Sequence, residues 1–135
     1  MNRRQAREQA FKFVFESEFG NNNAEDIIEI ARSCREEEID DFSKNILIGV
    51  KEKESAIEEY IEKNVTGWKK ERLSKVATSI LKIAIYEIMY IEDIPENVSI
   101  NEAVELAKKY GEKDEFSYIN GVLGAFARDF KKCNF

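Results

Sequence analysis

Arg3, Arg4 and Arg7 stand close together near the start of the chain, and Arg3 with Arg7 forms an i, i+4 pair on one face of a helix. Arginine carries a rigid fork of donors that matches phosphate oxygens bidentately, so this cluster is a candidate grip on an anionic partner such as an RNA backbone. Helix N-termini favour acidic side chains, and basic ones there work against local electrostatics unless something anionic meets them. An ordinary solubilising terminus is the other reading of the same residues, and it stays open. Residues 1–15 hold Arg3, Arg4, Arg7 and Lys12 against Glu8, a balance of +3. The whole chain carries −6, so the other 120 residues carry −9.

Other chemistry has less support. Glu36-Glu37-Glu38, Asp40-Asp41 and Glu58-Glu59 pair carboxylates as general acid–base work would require, but in helices this charged such runs are usually solvated faces. The chain has no histidine, which removes imidazole bases, histidine-activated nucleophiles and histidine metal ligands. Cys34 and Cys133 lie 99 positions apart and form no CxxC knuckle. Gly111, Gly121 and Gly124 lack the spacing and the preceding strand of a phosphate-binding loop. No enzyme activity and no cofactor or metal is therefore expected. Among the aromatic residues, Phe15, Trp68 and Tyr118 are hard to place inside and could stack on a base or meet a partner.

The elements that position these residues are helical. A chain of 135 residues makes one domain, or two very small ones sharing a core. With 43% hydrophobic and 36% charged residues it reads as globular with a heavily charged surface. No apolar signal-peptide core follows Met1, and the most apolar window, Ile80 to Ile91, is interrupted by Lys82 and Glu87 and falls well short of the roughly 20 residues a membrane span needs. A cytoplasmic protein with reduced thiols is expected.

One proline and six glycines leave long uninterrupted stretches with no run of strict alternation. The first helix runs from about Arg3 to Glu18. A second runs from Ala24, capped by Asn23, to about Glu37, with Ile27, Ile30, Ala31 and Cys34 as its buried face. A third segment from Asp40 or Asp41 to about Asn64 is one helix or two, weakened at Gly49. Thr66-Gly67 marks a break between an N-terminal subdomain, 1–65, and a C-terminal one, 66–135. A short turn or helix spans Trp68 to Leu73, and a nearly all-apolar helix spans Ser74 to Ile91. Ser99-Ile100-Asn101-Glu102 fits the S-x-x-E capping box of the next helix, which stops at Gly111. Asp114 caps a last helix that turns Phe116, Ile119, Val122, Leu123, Phe126 and Phe130 inward. The expected class is all-α, with six or seven helices in two packed bundles.

Four segments resemble one known family. Arg3-Arg4-Gln5-Ala6-Arg7-Glu8-Gln9-Ala10 is similar to the RR-x-ARE-x-A opening of the NusB family of bacterial transcription antitermination factors. Ile80-Leu81-Lys82-Ile83-Ala84-Ile85-Tyr86-Glu87-Ile88 resembles its IL-R-[IL]-A-x-YE-[IL] segment. Asp93-Ile94-Pro95 with Val98 to Lys108 is similar to DIP followed by V-x-INEA-[VI]-ELAK, and Phe116 to Leu123 to F-x-[FY]-[VI]-NGVL.

That resemblance implies a two-bundle helical protein without enzymatic activity. It implies pairing with the small-subunit ribosomal protein that doubles as NusE, binding to boxA elements of nascent ribosomal RNA leaders, and a place in the RNA polymerase antitermination complex. Arg3, Arg4 and Arg7 match the family's RNA-contacting opening. Only two residues precede Arg3, which implies fewer phosphate contacts. Tyr118 and Asp114 match its RNA-facing region. Phe15 and the stretch Glu71 to Ala77, with Arg72, match its ribosomal-protein surface. Ala77 stands where many members carry an acid, which puts one interprotein salt bridge in doubt and shifts weight to Glu71 and its neighbours. Two alternatives remain: an accessory module serving a separate RNA methyltransferase, and a helical adaptor or homodimer that binds no RNA.

Overall fold

The computed structural model describes residues 1–20, 22–65 and 73–133, with side chains as far as 131. Among these residues there are seven helices and no strand: α1 (Arg3–Ser17), α2 (Ala24–Cys34), α3 (Asp41–Glu52), α4 (Glu54–Asn64), α5 (Lys75–Tyr90), α6 (Glu96–Tyr110) and α7 (Glu115–Cys133).

Several starts are set by a short polar residue that satisfies the first free amides. Asn2 Oδ1 accepts from the Gln5 N–H at 2.8 Å while Gln5 Oε1 accepts from the Asn2 N–H at 2.9 Å, a reciprocal capping box. Asn23 accepts from the Asp26 N–H at 2.8 Å, Asp40 from the Phe42 N–H at 2.8 Å, and Ser74 from the Ala77 N–H at 3.0 Å. The third apolar segment is two helices, which meet at Lys53. Gly49 is not the break. It lies inside α3 against Tyr86 of α5, and a Cβ there would come within 2.1 Å of the Tyr86 ring, so the close approach needs a residue without a side chain.

α5 is the central element. Ile80, Leu81, Ile83, Ala84 and Ile85 are all buried, and the helix packs on α1, α3, α4, α6 and α7. Being enclosed on several sides, it needs apolar residues around its whole circumference. Buried residues from positions 10–61 and 77–126 belong to one hydrophobic cluster.

Some expectations are corrected. Ser99 does not cap a helix: α6 begins a turn earlier, at Glu96 after Pro95, and Ser99 sits inside it, buried, with its hydroxyl donating to Glu87 at 3.0 Å. Proline suits the position before a helix because no intrahelical partner is lost there. α2 ends at Cys34, where Cys34 is exposed and Ile30 is 40% exposed; its buried stripe is Ala24, Ile27, Ile28 and Ala31, facing α1 and α3. Phe116 is 36% exposed under the Lys108 ammonium, while Ile119, Val122, Leu123 and Phe126 point inward. Asp114 precedes α7 with φ +72°, and the side-chain bond that closes this junction is that of Glu115, whose Oε1 accepts from the Glu112 N–H at 2.7 Å. Thr66-Gly67 and the segment from Trp68 to Arg72 lie outside the described residues.

Candidate nucleic-acid interface

The three arginines of α1 leave the helix in different directions. Arg7 points inward and is 3% exposed. Its Nε and Nη2 donate to the two carboxylate oxygens of Glu87, each at 2.8 Å, and Ser99 Oγ donates to the same carboxylate. This buried network ties α1, α5 and α6 together and satisfies both charges. Arg7 is therefore removed from the expected RNA-contacting set: its guanidinium is not accessible to a phosphate. Arg4 reaches the surface of α6, where Nε and Nη2 bind Glu102 at 3.1 and 3.0 Å. Hydrogen bonding and then the charge of Glu102 push the Arg4 pKa further up. Arg3 turns toward α3, and its guanidinium lies 4.1 Å from the centre of the Phe42 ring. It has no carboxylate partner among the described residues. The electrostatic conflict of arginines at a helix start is thus met within the fold at two of the three positions.

A groove of about 330 Å³ runs between α1 and α6, lined by Arg4, Glu8, Glu102, Lys108 and Lys109 among others. Glu8 accepts from the Tyr110 hydroxyl and, at 3.0 Å, from the Lys109 ammonium. The Tyr110 bond first, then Lys109 against the effect of partial burial, hold the Glu8 carboxyl below its ordinary value. Lys12, Lys108 and Lys109 are largely exposed along this face.

Asp114 and Tyr118 occupy a separate place. They line a cavity of about 230 Å³ with Leu73, Ser74, Lys113 and Glu115. Asp114 is exposed and Tyr118 half-buried, and burial pushes the Tyr118 phenol pKa up. α1 and α5 run antiparallel, with Arg7 on Glu87 near one end and the Glu18 carbonyl on Lys75 at the other. The Ser74 side of α5, with Asp114 and Tyr118, thus lies toward the C-terminal end of α1, a helix about 22 Å long for fifteen residues at ~1.5 Å each, with Arg3 and Arg4 at its other end. These residues do not converge on one pocket. Lys109 and Tyr110 of α6 lie between them, so the arrangement is a strip suited to an extended polymer and not to a small ligand.

Phe15 is half-buried, 6.0 Å from the Phe11 ring and 5.0 Å from Phe19. Phe19, which spacing did not single out, is the exposed member of this stack at 50%, with the Lys75 ammonium 5.1 Å from its ring. Ala77 is fully buried in the first turn of α5, so it is corrected from a partner contact to a packing residue. Glu71 and Arg72 lie outside the described residues. Among the described residues no cluster of three or more Cys, Asp or Glu could hold a metal ion, and no helix is long and apolar enough to cross a membrane.

Among the described residues, seven helices with the apolar α5 at their centre, and a basic-and-aromatic strip on the surface, define an all-α protein equipped for binding. The model of the NusB family matches residues 4–128, and the chain belongs to that family. It is 42% identical over 140 aligned positions to the transcription antitermination protein NusB of Clostridium botulinum (strain Kyoto / Type A2), covering 92% of this chain and 98% of that protein. It is 43% identical to its counterpart in Clostridium novyi (strain NT), covering 92% and 96%. Among solved structures it resembles T. maritima NusB with a TM-score of 0.82 at 30% identity, covering 100% of this chain and 99% of that one. It shares its fold with a chain in the crystal structure of antitermination factors NusB and NusE in complex with dsRNA, at 21% identity and a TM-score of 0.82, covering 94% and 96%.

Proposed function

We propose that this chain is a transcription antitermination factor that binds a boxA-type element of nascent ribosomal RNA together with a NusE-like small-subunit ribosomal protein. The observation that carries the reading is the family match over residues 4–128, joined to antitermination proteins more than 40% identical over nearly their whole length. The NusB–NusE–dsRNA complex, a fold relative, supplies the pairing with RNA and a ribosomal partner. RNA lies along the strip: Arg3 and Arg4 take phosphates at one end, Lys108 and Lys109 follow, and Tyr118 beside Asp114 offers a ring at the other. The ribosomal partner meets the Phe15–Phe19 end of α1, together with Glu71 and Arg72. The protein positions RNA and partner for RNA polymerase in the cytoplasm and catalyses nothing.

Arginine contacts make binding salt-dependent, by about 0.7 in log–log slope for each phosphate neutralised on a single strand. Titrating a boxA-like single strand at several salt concentrations, with and without the ribosomal partner, tests the reading. Arg3→Ala with Arg4→Ala is expected to weaken binding and flatten the slope by up to about 1.4. Unchanged affinity and slope would overturn it. A competing reading, a protein-only adaptor or homodimer, is favoured by the internal pairing of Arg4 and Arg7. It predicts that a pull-down recovers proteins but never RNA, with or without RNase.

A further inference from the structure

Resting on the RNA-binding reading above, we propose that the cleft between α3 and α5 is a second site on this chain for single-stranded RNA, one that takes an unstacked nucleobase. The cleft measures about 490 Å³ and lies on the side of α1 away from Glu102 and α6. Phe42 and Ile48 of α3 and Tyr86 of α5 with Ile91 supply apolar and aromatic surface, and Asn45 adds an amide. Gly49 lies against the Tyr86 ring, so the absence of a side chain there is what lets the ring lie against α3. An apolar slot with a few polar groups at its edge suits a base, which needs a surface for its face and partners for its rim.

The charges sort the two parts of a nucleotide. Glu52 and Asp93 also line the cleft. Carboxylates repel phosphate but accept from the exocyclic amino groups of bases. Cations flank the rings instead. Arg3 sits 4.1 Å from the centre of the Phe42 ring at one side. Past Tyr86, the Tyr90 ring is 5.2 Å away and carries the Lys53 ammonium at 5.6 Å. Neither cation has a carboxylate partner among the described residues. A guanidinium held on a ring keeps its edge donors for phosphate. Burial, and then the Glu52 charge, push the Tyr86 phenol up, so its hydroxyl remains a donor. The backbone would therefore run over Arg3 and Lys53 with a base turned inward. Arg3 and Arg4 are neighbours that diverge, one to α3 and one to α6, so a strand on the α1–α6 strip reaches the cleft by crossing the start of α1.

The test uses the full chain with its ribosomal partner and two RNAs: a boxA-like single strand, and the same strand lengthened by a few nucleotides at each end with 2-aminopurine in the added parts. The longer strand is expected to bind about tenfold tighter, with quenched 2-aminopurine fluorescence. Asn45→Glu, at an exposed position, and Tyr86→Leu are each expected to abolish the gain and the quenching while the short strand binds as before. A gain that survives both variants, or no gain at all, overturns the cleft proposal and leaves the α1–α6 reading intact. If both RNAs bind normally to the variants but the ribosomal partner binds less well, the cleft docks protein and the proposal is wrong. If neither RNA binds the wild-type protein, the RNA-binding reading itself fails and takes this inference with it.

Discussion

Removing one partner of a buried ion pair strands the other charge in a poor solvent, and that penalty usually exceeds what the pair contributes. Arg7 and Glu87 are such a pair, at 4% and 1% side-chain exposure. Glu87→Ala is expected to destabilise the fold by about 3 kcal/mol or more, read as a lower midpoint in urea. Replacing both residues by methionine is expected to recover much of that loss, because two apolar side chains leave no unpaired charge. A double variant no better than Glu87→Ala alone would show that the pair does more than neutralise itself. Arg4 presents the opposite case, since its partner Glu102 lies at the surface and competes with any phosphate. Glu102→Gln is expected to raise affinity for a boxA-like strand, and Arg4→Ala should then cost more affinity in that background than in the wild type. Equal costs in the two backgrounds would mean that Glu102 does not restrain Arg4. These situations were not legible in the chain, where the three arginines look alike. Their fates depend on Glu87, Glu102 and Phe42, which lie 80, 98 and 39 positions beyond Arg7, Arg4 and Arg3 respectively.

Helix starts and stripes are governed by local rules, and at that scale the chain was readable. Asn23 caps α2, α5 is apolar nearly all round, and Gly111 ends α6 as spacing and turn chemistry require. The rules failed where two local signals competed. Ser99-x-x-Glu102 has the form of a capping box, yet Pro95 starts the helix a turn earlier and Ser99 is drawn into the Arg7–Glu87 network instead. The break in the third segment falls at Lys53 and not at Gly49, because Gly49 answers to the Tyr86 ring, a tertiary demand that helix propensity does not record. The candidate site shows the same division. Its members were named from motif and residue type, but Arg7 and Ala77 proved to be interior, and the cleft at Phe42 and Tyr86 joins helices that no local pattern pairs. Capping is also the element-scale handle on the basic strip. Asn2→Ala breaks the reciprocal bonds with Gln5 and is expected to cost about 1 kcal/mol, with faster amide exchange confined to the first turn that carries Arg3 and Arg4. Exchange spread evenly over α1 would contradict a local role.

Across the whole molecule, one lysine joins carboxylates from two separate stretches of the chain. Lys82 of α5 is 3% exposed and donates to Glu18 beyond α1 at 2.6 Å and to Glu54 and Glu58 of α4 at 3.1 and 3.3 Å. Burial works against its charge, but bonding to Glu18 and then Glu54 outweighs this and raises its pKa. Burial also works against the charge on Glu54, and bonds and charge from Lys82 and Lys51 more than offset it, so Glu54 titrates below its ordinary value. A carboxyl lowered on folding contributes stability that is present above its unfolded pKa and lost as pH falls through the folded one. A lysine raised on folding contributes stability that is lost only as pH rises through its folded pKa, far above neutrality. With no histidine in the chain, side chains of ordinary pKa add no titration between about pH 6 and 8, so stability should be level there and fall below about pH 4.5. Lys82→Met separates these contributions. At pH 7 it leaves three carboxylates facing one another and is expected to cost about 2 kcal/mol, less than for a wholly enclosed pair because the glutamates reach solvent. Without Lys82, only Lys51 still opposes the burial that pushes Glu54 upward, and three carboxylates face one another, so acid relieves the variant while it weakens the wild type. The cost of Lys82→Met should therefore shrink as pH falls from 7 toward 4, measured by urea unfolding at each pH. A cost that stays constant over that range would mean that Lys82 acts by packing and not by holding the acidic ends of α1 and α4 together.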